Sequence, residues 1–157
     1  MKAITTYLND HLAGSVAALE LLDHLLRLRQ LPDHGPLTDL REEIEDDQKV
    51  LQRLLEEFGA KESQGRKAAA WLTEKLGQAK LRFDDPGNGG LRVLEALETL
   101  ALGIQGKLSL WRALASVAQE VPELAALDLQ RLQVRAADQF ARVDGLRIRV
   151  ARTALNR

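Results

Sequence analysis

Three breaker segments cut this 157-residue chain into long stretches of helical apolar period, and that division limits the fold more than any other feature. They are Leu31-Pro32-Asp33-His34-Gly35-Pro36, Asp84-Asp85-Pro86-Gly87-Asn88-Gly89-Gly90, and the single Pro122. A proline inside a helix removes an amide donor and clashes with the preceding turn, and clustered glycines add backbone freedom that a helix must give up. Between the breaks, apolar residues return every three to four positions. In residues 4–30 they are Ile4, Leu8, Leu12, Leu19, Leu22 and Leu26, with Ser15 filling the gap in the stripe. Composition agrees: 31 Leu and 21 Ala stand against 24 β-branched or aromatic residues, a balance that favours helices over strands.

Four long helices and one short one follow. After residues 4–30, Thr38 or Asp39 is expected to cap a second helix, with Glu42 and Glu43 near its positive end. Its inward stripe is Leu37, Leu40, Ile44, Leu51, Leu54, Leu55 and Phe58, and Gly59 ends it. Ser63 is placed to cap a shorter helix over about 65–82, carrying Trp71, Leu72, Leu76 and Leu81. A third long helix over about 91–119 points Leu94, Leu97, Ala101, Ile104 and Leu108 inward. A fourth, over about 124–154, points Leu129, Leu132, Ala136, Phe140, Val143 and Val150 inward. Hairpin 4–59, crossover 60–90 and hairpin 91–154 therefore read as one all-α domain. Two hairpins joined by one long crossover give a ferritin-like four-helix bundle about 40 Å long, with a plain up-down bundle of five helices as the alternative. Gly14, Ala18, Ala101, Gly103 and Ala136 are expected to allow close helix packing.

Several function classes fall away. With no cysteine there is no disulfide, thiolate metal site or cysteine nucleophile. The segment Met1–Tyr7 has one cation and no apolar core, and no uncharged stretch is long enough for a bilayer, so a cytoplasmic protein without a membrane role is expected. Gly87-Asn88-Gly89-Gly90 follows no strand and lacks the lysine of a phosphate-binding loop. The ferritin-like topology prompts a test for a di-iron centre, which needs Glu-x-x-His so that both side chains reach one metal. The residues three before His11, His24 and His34 are Leu8, Leu21 and Leu31, and the fourth helix has neither His nor Glu. No di-iron centre, cofactor or catalytic motif is therefore expected. A second reading is a single divalent ion held by some of His11, Asp47 and Glu98, on or beside the inward stripes, and Glu20, on the polar side of the first helix. Against it, a hairpin turning near residue 34 puts His11 and Asp47 roughly 15 Å apart along the axis. A buried polar network among His11, Asp47, Glu98 and Gln105, all on or beside inward stripes, is the simpler expectation.

A net charge of -1 hides an asymmetry: residues 1–60 carry 6 basic and 12 acidic side chains, residues 61–157 carry 16 and 11. On the last helix Arg131, Arg135, Arg142 and Arg149 are expected to share one outward face. Without aromatic residues among them they make a poor nucleic-acid surface, and they read as a solvated face or as partners of the acidic second helix. Such complementary halves also suit a homodimer or another protein partner.

Three segments carry a family likeness. Tyr7-Leu8-Asn9-Asp10-His11-Leu12-Ala13-Gly14, Ala70-Trp71-Leu72-Thr73-Glu74-Lys75-Leu76 and Leu102-Gly103-Ile104-Gln105-Gly106-Lys107-Leu108-Ser109-Leu110-Trp111-Arg112 resemble a group of small, uncharacterised bacterial proteins of the ferritin-like class. The resemblance implies a ferritin-like bundle and supplies no activity. It draws attention to Asn9, Asp10, His11, Lys75, Lys107, Trp111 and Arg112, and to Trp71 and Trp111 as packing between crossover and bundle. A non-enzymatic structural or protein-interaction module is the expected function.

Overall fold

The computed structural model describes residues 2–28, 31, 34–60 and 89–156. They form four long α-helices, α1 (Lys2–Leu25), α2 (Gly35–Glu57), α3 (Gly89–Val117) and α4 (Leu129–Ala154), with a 3-10 turn at Pro122–Leu124 and no strand among the described residues. The helix expected over 65–82, together with Trp71 and Lys75, lies outside the described residues.

The helix ends follow local chemistry, in places differently from the sequence reading. α2 starts at Gly35, three or four residues before the expected caps, because Pro36 sits in the first turn, where its missing amide costs nothing. His34 fixes the turn before it: Nε2 donates to the Leu28 carbonyl oxygen at 3.0 Å. α2 ends at Glu57, two residues before Gly59, whose φ of 63° is open to glycine, with the Ala60 amide bonded back to Leu55 O at 2.9 Å. α4 begins only at Leu129, since Pro122 makes a separate turn and Asp128 then caps the helix by accepting from the Arg131 amide at 2.9 Å. Gly90 lets the first turn of α3 lie against the end of α4: a Cβ there would sit 3.3 Å from Ala154 Cβ.

Directions follow from the core. One apolar cluster unites Leu22 and Leu25 with Leu37 and Leu40, Val93 and Leu97, and Val143 and Leu146. The other unites Leu8 with Leu51 and Leu54, Trp111 and Leu114, and Leu129 and Leu132. The end of α1, the starts of α2 and α3 and the end of α4 therefore share one end of the bundle. α1 and α4 run one way, α2 and α3 the other. α2 finishes at the end of the bundle opposite to the one where α3 begins. α3 packs closely on α4, α1 packs on both α2 and α3, and α2 touches α4 sparingly. Among the described residues no helix is long and apolar enough to cross a membrane.

Burial corrects three expectations. The covered face of α1 is centred on Leu8, Ala13, Leu21, Leu22 and Leu25, so Leu12, Leu19 and Leu26 lie at its edge. Glu98 and Gln105 are exposed, because the buried seam of α3 runs through Leu97, Leu100, Ile104 and Trp111 and turns both away. Gly14 and Gly103 do not bring helices together: a Cβ on either would meet nothing within 4 Å. They leave a hollow instead.

Leu97 is fully enclosed between the helices. Leu97→Ala is expected to lower unfolding free energy by about 2–5 kcal/mol in urea titration, the cost of lost transfer energy plus a cavity.

Candidate functional site

The two apolar clusters are separated at mid-height by a layer of polar side chains. Three polar or charged residues are buried among the described residues, Asn9, Asp47 and Gln139. Asn9 is answered locally, its Nδ2 donating to Thr5 O at 2.8 Å. Asp47 and Gln139 belong to a network spanning α2, α3 and α4. Lys107 Nζ donates to Asp47 Oδ2 at 2.5 Å and also to Gln139 Oε1. Arg135 donates to Asp47 Oδ1. Gln139 Nε2 turns back to Glu43 Oε2 at 3.0 Å, and Arg142 reaches the same Glu43 oxygen at 2.5 Å while its Nε stands 2.8 Å from Asp138.

The placement is a matter of period. The core positions of α3 run Val93, Leu97, Leu100, Ile104, then Lys107, Trp111 and Leu114, alternating steps of four and three. In α2 the same alternation runs Leu37, Leu40, Ile44, then Asp47, Leu51 and Leu54. In α4 it runs Leu129, Leu132, Ala136, then Gln139, Val143 and Leu146. Each helix offers one polar residue to the same level of the bundle.

Electrostatics decides how this layer holds. A carboxylate drawn out of water into an apolar interior is costly unless it is paired and its lone pairs are satisfied. Asp47, 1% exposed, has a cation on each oxygen. Burial pushes the Lys107 ammonium below its ordinary value, and the Asp47 charge and hydrogen bond work against that shift. Burial would raise the Glu43 carboxyl, but the hydrogen bonds from Arg142 and Gln139 and the charges of Arg142 and Arg135 hold it below the usual range.

Beside this network, between α1, α2 and α3, lies a cavity of about 70 Å³. Gly14 and Gly103 form part of its wall, and His11, Ser15, Gln48, Asp47 and Lys107 supply its polar groups. Gln48 Nε2 donates to Ser15 Oγ at 2.9 Å, and that bond sets the register of the first hairpin. Ser15 levels with Gln48, so Asp47 levels with about residue 16, and the offset from His11 is roughly 7 Å along the axis, not 15. The earlier value assumed a turn centred too late, at residue 34. Burial lowers the His11 imidazole's proton affinity, with Asp10 opposing, and the ring meets Tyr7 edge-on at 4.7 Å.

Of the four metal-ligand candidates, His11 and Asp47 thus face one cavity. Glu98 is exposed and pairs with Arg147 at 3.2 Å, and Glu20 lies half-buried on α1 away from the cavity lining. Among the described residues no group of three or more His, Asp or Glu converges as a metal site would require. The arginine face also divides. Arg135 and Arg142 turn toward α2, where Asp47 and Glu43 draw them, while Arg131 and Arg149 stay exposed. The acidic and basic parts of the chain are therefore matched within one molecule. No family model, curated protein or solved structure matches the chain.

Two outcomes follow. Asp47→Ala, which leaves Lys107 and Arg135 facing each other without their anion, is expected to cost about 3–5 kcal/mol in denaturant unfolding, and more than Lys107→Met, which leaves Asp47 paired with Arg135. His11 gives a pH effect with a defined sign. Its folded proton affinity lies below the ordinary 6.5, so under that pH the unfolded chain takes up the proton more readily and stability falls with acidification. Melting temperatures measured from about pH 7.5 to about pH 5 should drop less for His11→Phe than for the wild-type chain.

Proposed function

We propose that this protein is a metal-independent, non-enzymatic helical bundle of the ferritin-like class, acting as a structural or protein-binding scaffold. The observation that carries this reading is the state of Asp47: both carboxylate oxygens, at the centre of the bundle, are engaged by the chain's own cations. A bundle metal site needs carboxylates with free lone pairs directed at a shared point. Here an ammonium and a guanidinium take the acceptor positions of the carboxylate and more than neutralise its single charge. The ferritin-like class itself is supported by the order of helix directions, with α1 and α4 running one way and α2 and α3 the other.

A second reading, one divalent ion held by His11 and Asp47 with a storage, redox or stress role, draws on the cavity these two residues share. It requires Asp47 to exchange a protein cation for the metal, with Glu98 and Glu20 contributing nothing from where they stand.

Elemental analysis of protein purified without chelator or added metal separates the two. The scaffold reading expects substoichiometric metal and a melting temperature unchanged by EDTA. Stoichiometric iron, manganese or zinc that disappears in His11→Ala would overturn it.

A further inference from the structure

α2 and α4 stand apart, bridged by long charged side chains, and toward the start of α4 the gap opens into a groove of about 290 Å³. Four cations line it: Lys49 and Arg53 from the α2 wall, Arg131 and Arg135 from the α4 wall. Two of the four are already paired, Lys49 with the groove's own Asp46 and Arg135 with Asp47, which leaves Arg53 and Arg131 as the cations open to a ligand. Asp46 pairs with Lys49 at 3.0 Å, and Asp128 caps α4 through the Arg131 amide. Among the described residues, the Arg53 and Arg131 guanidinium groups have no ion pair or hydrogen bond, and Arg135 Nε is buried with no acceptor although its other end holds Asp47.

We propose that this groove binds the phosphate group of a small phosphate monoester. Guanidinium forks match phosphate oxygens two at a time, and arginines on opposed walls can take different oxygens of one dianion. Like charges converging across a gap repel each other, and a dianion between them turns that repulsion into attraction. The volume falls near the lower end of small-molecule pockets, roughly 300 Å³, which leaves room beyond a bare phosphate for a short organic group. Val50 and Leu132 give that group an apolar wall. The absence of aromatic side chains from the lining sets the groove apart from surfaces that stack bases.

Isothermal titration with glycerol 3-phosphate tests this, with glycerol as the uncharged control. Saturable one-to-one binding of glycerol 3-phosphate is expected, with no heat from glycerol. Arg53→Ala and Arg131→Ala are each expected to weaken it by about tenfold, the loss of one charge-assisted contact. Both side chains are exposed, and circular dichroism should report unchanged helix content. Arg149→Ala, an exposed arginine toward the far end of α4, should leave affinity within about twofold, since screened charges at that distance count little. No saturation up to about 10 mM, weaker than any specific site of this kind, would overturn the proposal. So would an equal loss in Arg149→Ala, or Arg53-dependent binding seen only with a DNA duplex or with phosphatidic acid vesicles.

Discussion

The carboxylate of Asp47 is the constraint around which the bundle is arranged. An acidic side chain on a core position of α2 can remain there only if cations reach it, and the nearest sources lie on other helices. Lys107 crosses from α3 and Arg135 from α4, so a single charge ties three helices together. Gln139 links this group to a second one, Glu43 with Arg142, carrying the network one turn along α2. Layers of this kind contribute little net stability compared with apolar packing, and their recognised effect is to fix which residue sits opposite which. Here the layer falls between two apolar clusters whose leucines alone would tolerate sliding by a turn. A slip by one turn would leave Asp47 among aliphatic side chains.

Much of this was readable in the sequence. The breakers separate the helices, although α1 stops at Leu25 rather than near residue 30. The α2 stripe names the buried leucines of that helix, while the α3 stripe captures Leu94, Leu97 and Leu108 and omits the buried Leu100, Leu110 and Leu114. Asp47 stood out as inward because Ile44 and Leu51 flank it at helical spacing. The partners were harder to see. Lys107 and Gln139 are polar residues on otherwise apolar seams, and only the three-four alternation they share with their apolar neighbours marks them as inward. A straight 3.6 period drifts across such a seam, which is why it placed Glu98 and Gln105 too far inward and shifted the face of α1. Arg135 and Arg142 were assigned outward for a different reason: a helical wheel gives the Cα direction, and a long guanidinium side chain can bend back toward a carboxylate.

Pairing across the hairpins also depends on distance along the chain that no local pattern encodes. His11 and Asp47 come to one cavity because the first hairpin turns a few residues early, and the Ser15–Gln48 hydrogen bond records that register. The hollow between Gly14 and Gly103 is similarly non-local. Each glycine weakens its own helix by about 1 kcal/mol relative to alanine, and only their meeting across α1 and α3 makes a cavity.

The unequal contacts among the four helices give the molecule a mechanical direction. α1 lies firmly on α3, and α3 on α4, through aliphatic surface, whereas α2 and α4 meet mainly through charged side chains. The bundle therefore resembles a book, with its spine along α1 and α3 and its fore-edge held by a clasp of ions. Water can solvate the outer guanidinium groups of the clasp far more readily than the leucines of the spine. A partner or solute that approaches between α2 and α4 meets Arg135 and Arg142 first, with Asp47 buried behind them.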